Sequence, residues 1–257
     1  RHLDVRADRP EPSATLSCVW PRVHALSHVP NRQVLRMAEA PRVVTAALST
    51  LARVAREVDA AWALVGGQAL VGHGVPRDTL DADALVDRPK LGVLADALTD
   101  AGWQPVAYDP ASADYVDVTE PTAHYFEDPV LFDCAEERVM IPFRTPDRFV
   151  VELLAAQHPI EREMILEATI EQVQAASVPV APLGGVLLVK CKADRLKDIA
   201  ALEQTAEHLP RKTLDAAVAW ARVRDSGTAD GLAAVLEAAR VRKVPLRTEP
   251  YPGIRRR

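Results

Sequence analysis

The chain predicts an α/β (α+β) fold, a small mixed sheet flanked by helices with a helical region at the C-terminal end. Three observations carry that expectation. Between Trp62 and Asp87 an apolar strand, a glycine turn, a short helix and a second strand follow one another directly. Helical and strand periods alternate from Val43 to Leu98, which is the pattern of helices packed on a sheet. Finally, 48% of the 257 residues are hydrophobic but only 5% are aromatic, so the core is built from Ala, Val and Leu, and the chain is long enough to bury a proper one.

Taken in order, residues 1–36 are rich in Pro, Arg and Ser without a sustained period and read as a flexible leader. They lack the continuous apolar stretch of a secretory signal, and periodic sequence begins at Met37, a candidate natural start. Residues 37–181 hold the predicted sheet. Val44, Ala47, Leu51, Val54 and Val58 fall at helical spacing over Val43 to Val58. Ala61 to Val65 is an apolar strand, Gly66-Gly67 a turn, and the helix opening near Gln68 ends near His73-Gly74. Arg77 lies in a basic turn before the strand that carries Asp81 and Asp83. Leu91, Leu94, Ala95 and Leu98 mark a further helix, stopped by Ala101-Gly102. Short extended candidates come next at Gln104 to Tyr108, Tyr115 to Thr119, Val130 to Cys134 and Arg138 to Phe143. Arg148 to Ala155 is the next strand, and Glu167 to Val180 reads as a strand pair with its turn near Ala175-Ser177. Residues 182–247 form the C-terminal helical region, with Thr213 to Val223 and Thr228 to Val241 parted by Ser226-Gly227. Residues 248–257 are a basic tail.

The chemistry concentrates at Trp62 to Asp87. Side chains alternate faces along a strand, so Asp81 and Asp83 share one face about 6 to 7 Å apart, within reach of a single divalent ion. Gly66 and Gly67 lack Cβ atoms and let the backbone approach a phosphate closely. Neither a P-loop nor a G-x-G-x-x-G is present: His73, not Lys, follows Gly72.

With its spacing, this stretch resembles the nucleotidyltransferase superfamily, and in particular the AbiEii/AbiGii toxin-like nucleotidyltransferases. Their signature of an apolar strand, a Gly-Gly or Gly-Ser turn and R-x-T-x-D-x-D is matched by Gly66, Gly67, Arg77, Thr79, Asp81 and Asp83. Ala82 is smaller than the branched residue expected between the aspartates. The resemblance implies a nucleotidyltransferase-type fold and a third acidic residue on the strand after the D-x-D strand. VVELLAAQHPIEREMI places Glu152 there, a Glu where Asp is usual, and Asp133 in VLFDC is the alternative. It also implies a K-x-x-A-x-R-P-K-D run, matched by Lys190, Ala193, Arg195, Lys197 and Asp198, with Leu196 in place of the proline. On one straight helix Asp198 would lie about 80° round from Lys190 and roughly 12 Å further along, so both can serve one site only if the helix breaks near Asp194.

The activity so implied is Mg²⁺-dependent transfer of a nucleoside monophosphate from a nucleoside triphosphate such as ATP to a hydroxyl. Asp81, Asp83 and Glu152 would hold the metal. Gly66, Gly67, Arg77, Thr79 and Lys197 would bind the nucleotide, Lys190 would offset charge on the leaving pyrophosphate, and Asp198 would help position or deprotonate the acceptor. The implied acceptor is RNA, such as a tRNA 3′ end, in a toxin paired with an antitoxin protein. A small-molecule or protein acceptor, or a catalytically silent nucleotide- or RNA-binding module, are the alternatives. The net charge of −5 argues against non-specific coating of nucleic acid, while Lys190 to Lys197 and Arg255 to Arg257 supply local basic patches. Cys18, Cys134 and Cys191 form neither a disulfide framework nor a zinc motif, so a cytoplasmic setting is expected. No apolar run approaches the roughly 20 residues that span a bilayer. His73, His124, His158 and His208 sit in no triad or ligand spacing, and no G-x-S-x-G is present.

Overall fold

A computed structural model describes residues 40–79, 81–109, 111, 114–126, 138–193 and 195–241. The expectations that fall on the leader, on Met37, on Val130 to Cys134 with Asp133, and on the basic tail lie outside the described residues.

Helix α1 (Ala40–Glu57) buries Val43, Val44, Ala47, Leu48, Leu51, Val54 and Ala55 on one stripe, the face that the periodicity predicts. It leads into β1 (Trp62–Val65), α2 (Gly66–Gly72) and β2 (Asp81–Asp87), with α3 (Leu91–Asp100) after a 3-10 turn. Next come β3 (Gln104–Asp109), β4 (Asp114–Asp117), β5 (His124–Phe126), β6 (Arg138–Arg144) and β7 (Val150–Ala156). Helix α4 (Pro159–Leu166) and the pair β8 (Thr169–Val173) and β9 (Ala176–Val180) close the sheet. The helices α5 (Leu183–Ala193), α6 (Leu196–His208), α7 (Arg211–Arg224) and α8 (Ser226–Val241) complete the described chain.

The strands form one mixed sheet in the order β4-β3-β6-β7-β2-β1-β9-β8, with β5 paired to β6 beside this path. Strand β2 lies antiparallel to β1 and parallel to β7, and β1 runs parallel to β9. The fold class therefore matches expectation. Strand β5 is an addition: three residues between two turn-rich stretches give too short a period to read. Two boundaries shift by local strain. Arg148 adopts φ +65°, so it belongs to a turn and β7 begins at Val150. Gln174 adopts φ +56°, which sets the β8–β9 turn ahead of Ala175-Ser177.

The β6–β7 hairpin carries one edge of the candidate site. Buried Thr145 ties it shut: its N–H donates to the Phe149 carbonyl (2.8 Å), and its Oγ1 accepts from the Phe149 N–H (3.1 Å). Beyond β7, His158 caps α4 by accepting from the Ile160 N–H, while the buried Glu161 carboxylate reaches back to the His158 and Gln157 N–H groups. That is a capping box, which removes orphan donors at the helix start. His73 bonds the Ala181 carbonyl through Nε2 (2.8 Å) and His208 the Gln204 carbonyl through Nδ1 (2.8 Å).

One hydrophobic core runs from Val43 on α1 through the sheet to Ala239 on α8. Helix α7 is bound to α4 by Arg224, which pairs with Glu163 and Glu167 at 2.6 Å each and lies over the Trp220 ring. No helix among the described residues is long and apolar enough to cross a membrane. Helix α5 sits close to its neighbours because of glycine: a Cβ at Gly184 would stand 2.5 Å from the Ala217 carbonyl oxygen and 2.8 Å from Trp220 Cβ. Helix propensity alone favours Ala over Gly by about 1 kcal/mol. Overpacking against backbone costs about 1–3 kcal/mol. Gly184→Ala is therefore expected to lower the free energy of unfolding in a urea titration; a gain would show that α5 does not depend on this close approach.

Candidate active site

The parallel pairing of β2 with β7 sets Asp83 directly opposite Glu152 and Asp81 opposite Val150. Cross-strand partners project from the same sheet face, so Asp81, Asp83 and Glu152 share one face. Their register is held from behind, since Ala82, Ala84, Val151 and Leu153 are at most 1% exposed. A one-residue slip would drive the carboxylates into that core. The three carboxylates that the sequence expectation names therefore lie on one sheet face, with Asp83 and Glu152 side by side.

Gly66 and Gly67 open α2 beside this cluster. Gly66 has φ +67°, the left-handed region that favours glycine, and a Cβ there would stand 1.8 Å from Asp83 Oδ2. A Cβ at Gly67 would stand 2.3 Å from the Thr79 methyl. The glycines thus admit Asp83 and Thr79 to the turn. Gln68, which the sequence patterns do not single out, is buried and donates from Nε2 to Thr79 Oγ1, while its Oε1 has no partner among the described residues. A polar residue directly after Gly-Gly in an otherwise apolar helix is its only signal.

The cations come from two other elements. Helix α5 ends at Ala193 and α6 starts at Leu196, so the chain breaks where the joint use of Lys190 and Asp198 requires it. Proline is not needed. Arg195 is extended (φ −82°, ψ 149°), and its Nε donates to Asp198 Oδ2 at 2.5 Å, while Lys190 Nζ donates to Asp198 Oδ1 at 3.1 Å. Asp198 is 1% exposed in the first turn of α6, where a carboxylate also suits the helix dipole. Lys197, in the first turn of α6, is exposed, and among the described residues no hydrogen bond or ion pair ties it to the carboxylates. Arg77 sits in the loop before β2, which α6 supports through Gln204 Nε2 donating to the Pro76 carbonyl (2.5 Å). Its Nε and Nη1 are buried without a partner among the described residues.

Charge couples these groups. Burial first, then repulsion from Glu152 and Asp81 and a carboxyl–carboxyl hydrogen bond to Glu152, hold Asp83 well above the usual carboxylate range, against the pull of Lys190. Burial lowers the Lys190 ammonium, opposed by Asp198 and Asp83 and reinforced by Arg77. Burial lowers Arg77 too, against attraction from Asp198 and Asp81. For Asp198, burial pushes upward but is outweighed by Arg195 and Lys190, so the carboxylate ends below its ordinary range.

Hard oxygen donors crowded on one face, one of them held well above its ordinary range, are donor chemistry that suits a divalent cation. In the described side-chain positions, no three His, Cys, Asp or Glu groups are gathered around one point to hold a metal ion. One of the oxygens is engaged elsewhere: Tyr115, a residue without any sequence signal beyond its strand, donates its hydroxyl to Glu152 Oε1 at 2.5 Å.

No family model matches the chain, and no curated protein matches it. Among solved structures the chain is similar to the antibiotic-resistance factor ANT(2'')-Ia, at 13% identity over 77% of this chain and 93% of that one, with a TM-score of 0.41. It is similar to JHP933 from Helicobacter pylori, at 14% identity over 77% of this chain and 90% of that one, with a TM-score of 0.38. A third likeness is to an antigenic nucleotidyltransferase-like protein from Paracoccidioides brasiliensis, at 17% identity over 76% of this chain and 92% of that one, with a TM-score of 0.36.

Proposed function

We propose that the chain is a Mg²⁺-dependent nucleotidyltransferase that moves a nucleoside monophosphate from a nucleoside triphosphate to a hydroxyl acceptor. One observation supports this above the rest: three carboxylates share a sheet face within electrostatic reach of Arg77 and Lys190, and Arg77 keeps two buried donors unused among the described residues. The R-x-T-x-D-x-D signature falls on those same residues.

A divalent cation held by Asp81, Asp83 and Glu152 would supply Lewis-acid polarisation of the triphosphate and an acidified acceptor hydroxyl. The chain's own residues do the rest. Arg77 Nε and Nη1, both without a partner among the described residues, are guanidinium donors available to separate phosphate oxygens. Thr79 Oγ1 already accepts from Gln68, so its proton is free to donate to a phosphate oxygen. The Gly66 and Gly67 backbone, bare of side chains, lines the same turn. Lys190, braced by Asp198, offsets charge on the departing pyrophosphate as the acceptor oxygen attacks the α-phosphorus in line, the bond to pyrophosphate breaks and the hydroxyl proton passes to solvent. Because Asp198 is held ionised by two cations, it is a poor proton acceptor and serves to position Lys190. RNA is the acceptor class that the family resemblance supports, with the tRNA 3′ end as the substrate and an antitoxin as partner of a cytoplasmic toxin. Exposed Lys197 suits the phosphate backbone of such an acceptor.

Incubating the protein with total RNA and each labelled nucleoside triphosphate in turn is expected to give Mg²⁺-dependent label transfer and pyrophosphate release. Both should be abolished by Asp81→Asn with Asp83→Asn. Triphosphate binding without pyrophosphate release would identify a silent module instead. Asp83→Asn should also stabilise the fold at neutral pH. The folded-state pKa of Asp83 is raised, so ionisation opposes folding: the penalty is absent below the unfolded value of about 3.9 and grows as pH rises through the folded one. Removing it should raise Tm by about 2–4 °C for each kcal/mol recovered, and a fall in Tm would contradict the crowding. Finally, Asp198→Asn should cut turnover by about 10²-fold through misplaced Lys190, leaving the acidic limb of the pH–rate profile unmoved. A displaced limb would make Asp198 the base.

A further inference from the structure

Tyr115 lies on β4, three places from β7 in the strand order, and yet it touches Glu152. In a flat sheet that separation would be about 14 Å, beyond the joint reach of the two side chains. The hairpin resolves the distance by leaving the sheet. Strand β3 pairs with β6 only at Gln104 and Pro105, and beyond them β3 pairs with β4 alone, so the β3–β4 hairpin curls over the face that carries the carboxylates. Arg144 on β6 fastens it there, donating from Nη2 to the Tyr115 carbonyl at 2.7 Å and from Nη1 to the Asp117 carboxylate. Tyr108 buttresses the ring edge-on, with centroids 5.8 Å apart and planes at 71°. Hence the hydroxyl is delivered by a braced ring and not by a swinging side chain.

Glutamate has one more rotatable bond than aspartate, and at position 152 that freedom would let the carboxylate wander from Asp83. A hydroxyl fixed on one of its oxygens removes the freedom and leaves the other oxygen for Asp83 and a cation. We infer that Tyr115 is a positioning residue for Glu152, through which the β3–β4 hairpin sets the third carboxylate's orientation and so the affinity of the site for a divalent cation. This rests on the nucleotidyltransferase reading of the carboxylates. Outer partners of this kind govern metal affinity because they orient the ligand before the ion arrives.

The test is a Mn²⁺ titration of the full chain, following free Mn²⁺ by electron paramagnetic resonance. Tyr115→Phe keeps the ring and its contact with Tyr108 and removes only the hydroxyl; it is expected to weaken Mn²⁺ binding about 10- to 100-fold. In a Glu152→Gln background the same change should add nothing, since there is no carboxylate left to orient. Tyr108→Phe removes a hydroxyl that has no hydrogen bond to Glu152 among the described residues and should leave the affinity unchanged. An unaltered affinity in Tyr115→Phe, or an equal loss with and without Glu152, would overturn the inference while the wild-type binding upheld the metal-site reading. Wild-type protein that takes up no Mn²⁺ would overturn both. Should Tyr115→Phe not fold, Arg144→Lys, which loosens the hairpin through its other anchor, must give the same Glu152-dependent loss or the inference fails.

Discussion

The structure turns on the parallel pairing of β2 with β7. This register stands Asp83 against Glu152, and it is maintained by what lies on the opposite face, where Ala82, Ala84, Val151 and Leu153 pack into the core. Hydrophobic burial at about 25 cal/mol per Å² is non-directional, but alternation along a strand converts it into a directional constraint on every second side chain. The smallness of Ala82 does not loosen the arrangement, because the position is fully enclosed. The turn at Thr145 and the cap at His158 bracket β7 at its two ends and keep it from sliding.

Two like charges set side by side oppose folding, and the fold tolerates that at this one face. The protein answers in three ways: a hydrogen bond between the Asp83 and Glu152 carboxyls, a phenolic hydroxyl on Glu152, and cations from Arg77 and Lys190 at a short remove. Strain of this kind concentrates where function needs it, since a carboxylate pair optimised for stability would be an amide or an apolar pair. Gly66 belongs to the same logic. Its left-handed backbone and missing Cβ give Asp83 its space towards the turn.

How much of this is legible in the sequence depends on the range of the interactions. The spacing of Asp81 and Asp83, the glycine turn and the buried stripe of α1 are local, and local periodicity reports them. The α5–α6 break is legible only as a condition, that Lys190 and Asp198 can meet if the helix stops near Asp194, because the proline usually responsible is Leu196. At the break Arg195 is extended and its guanidinium satisfies Asp198, an i to i+3 contact that no propensity scale records. Tyr115 is illegible altogether, because its contact depends on where a hairpin parts from the sheet, a tertiary event separated from Glu152 by 37 residues. Gln68 is hidden for a related reason: its partner Thr79 is brought to it by the loop that carries Arg77.

The most direct measurement is a calorimetric titration of a non-hydrolysable nucleoside triphosphate into the protein in Mg²⁺ and in chelator, repeated on the Asp81→Asn, Asp83→Asn double variant. If the carboxylate face and the Arg77–Lys190 pair form one metal-triphosphate site, binding appears with Mg²⁺, disappears with chelator, and is lost in the variant. Affinity that is the same in all three conditions would contradict that reading, since the triphosphate would then be bound without the carboxylate face.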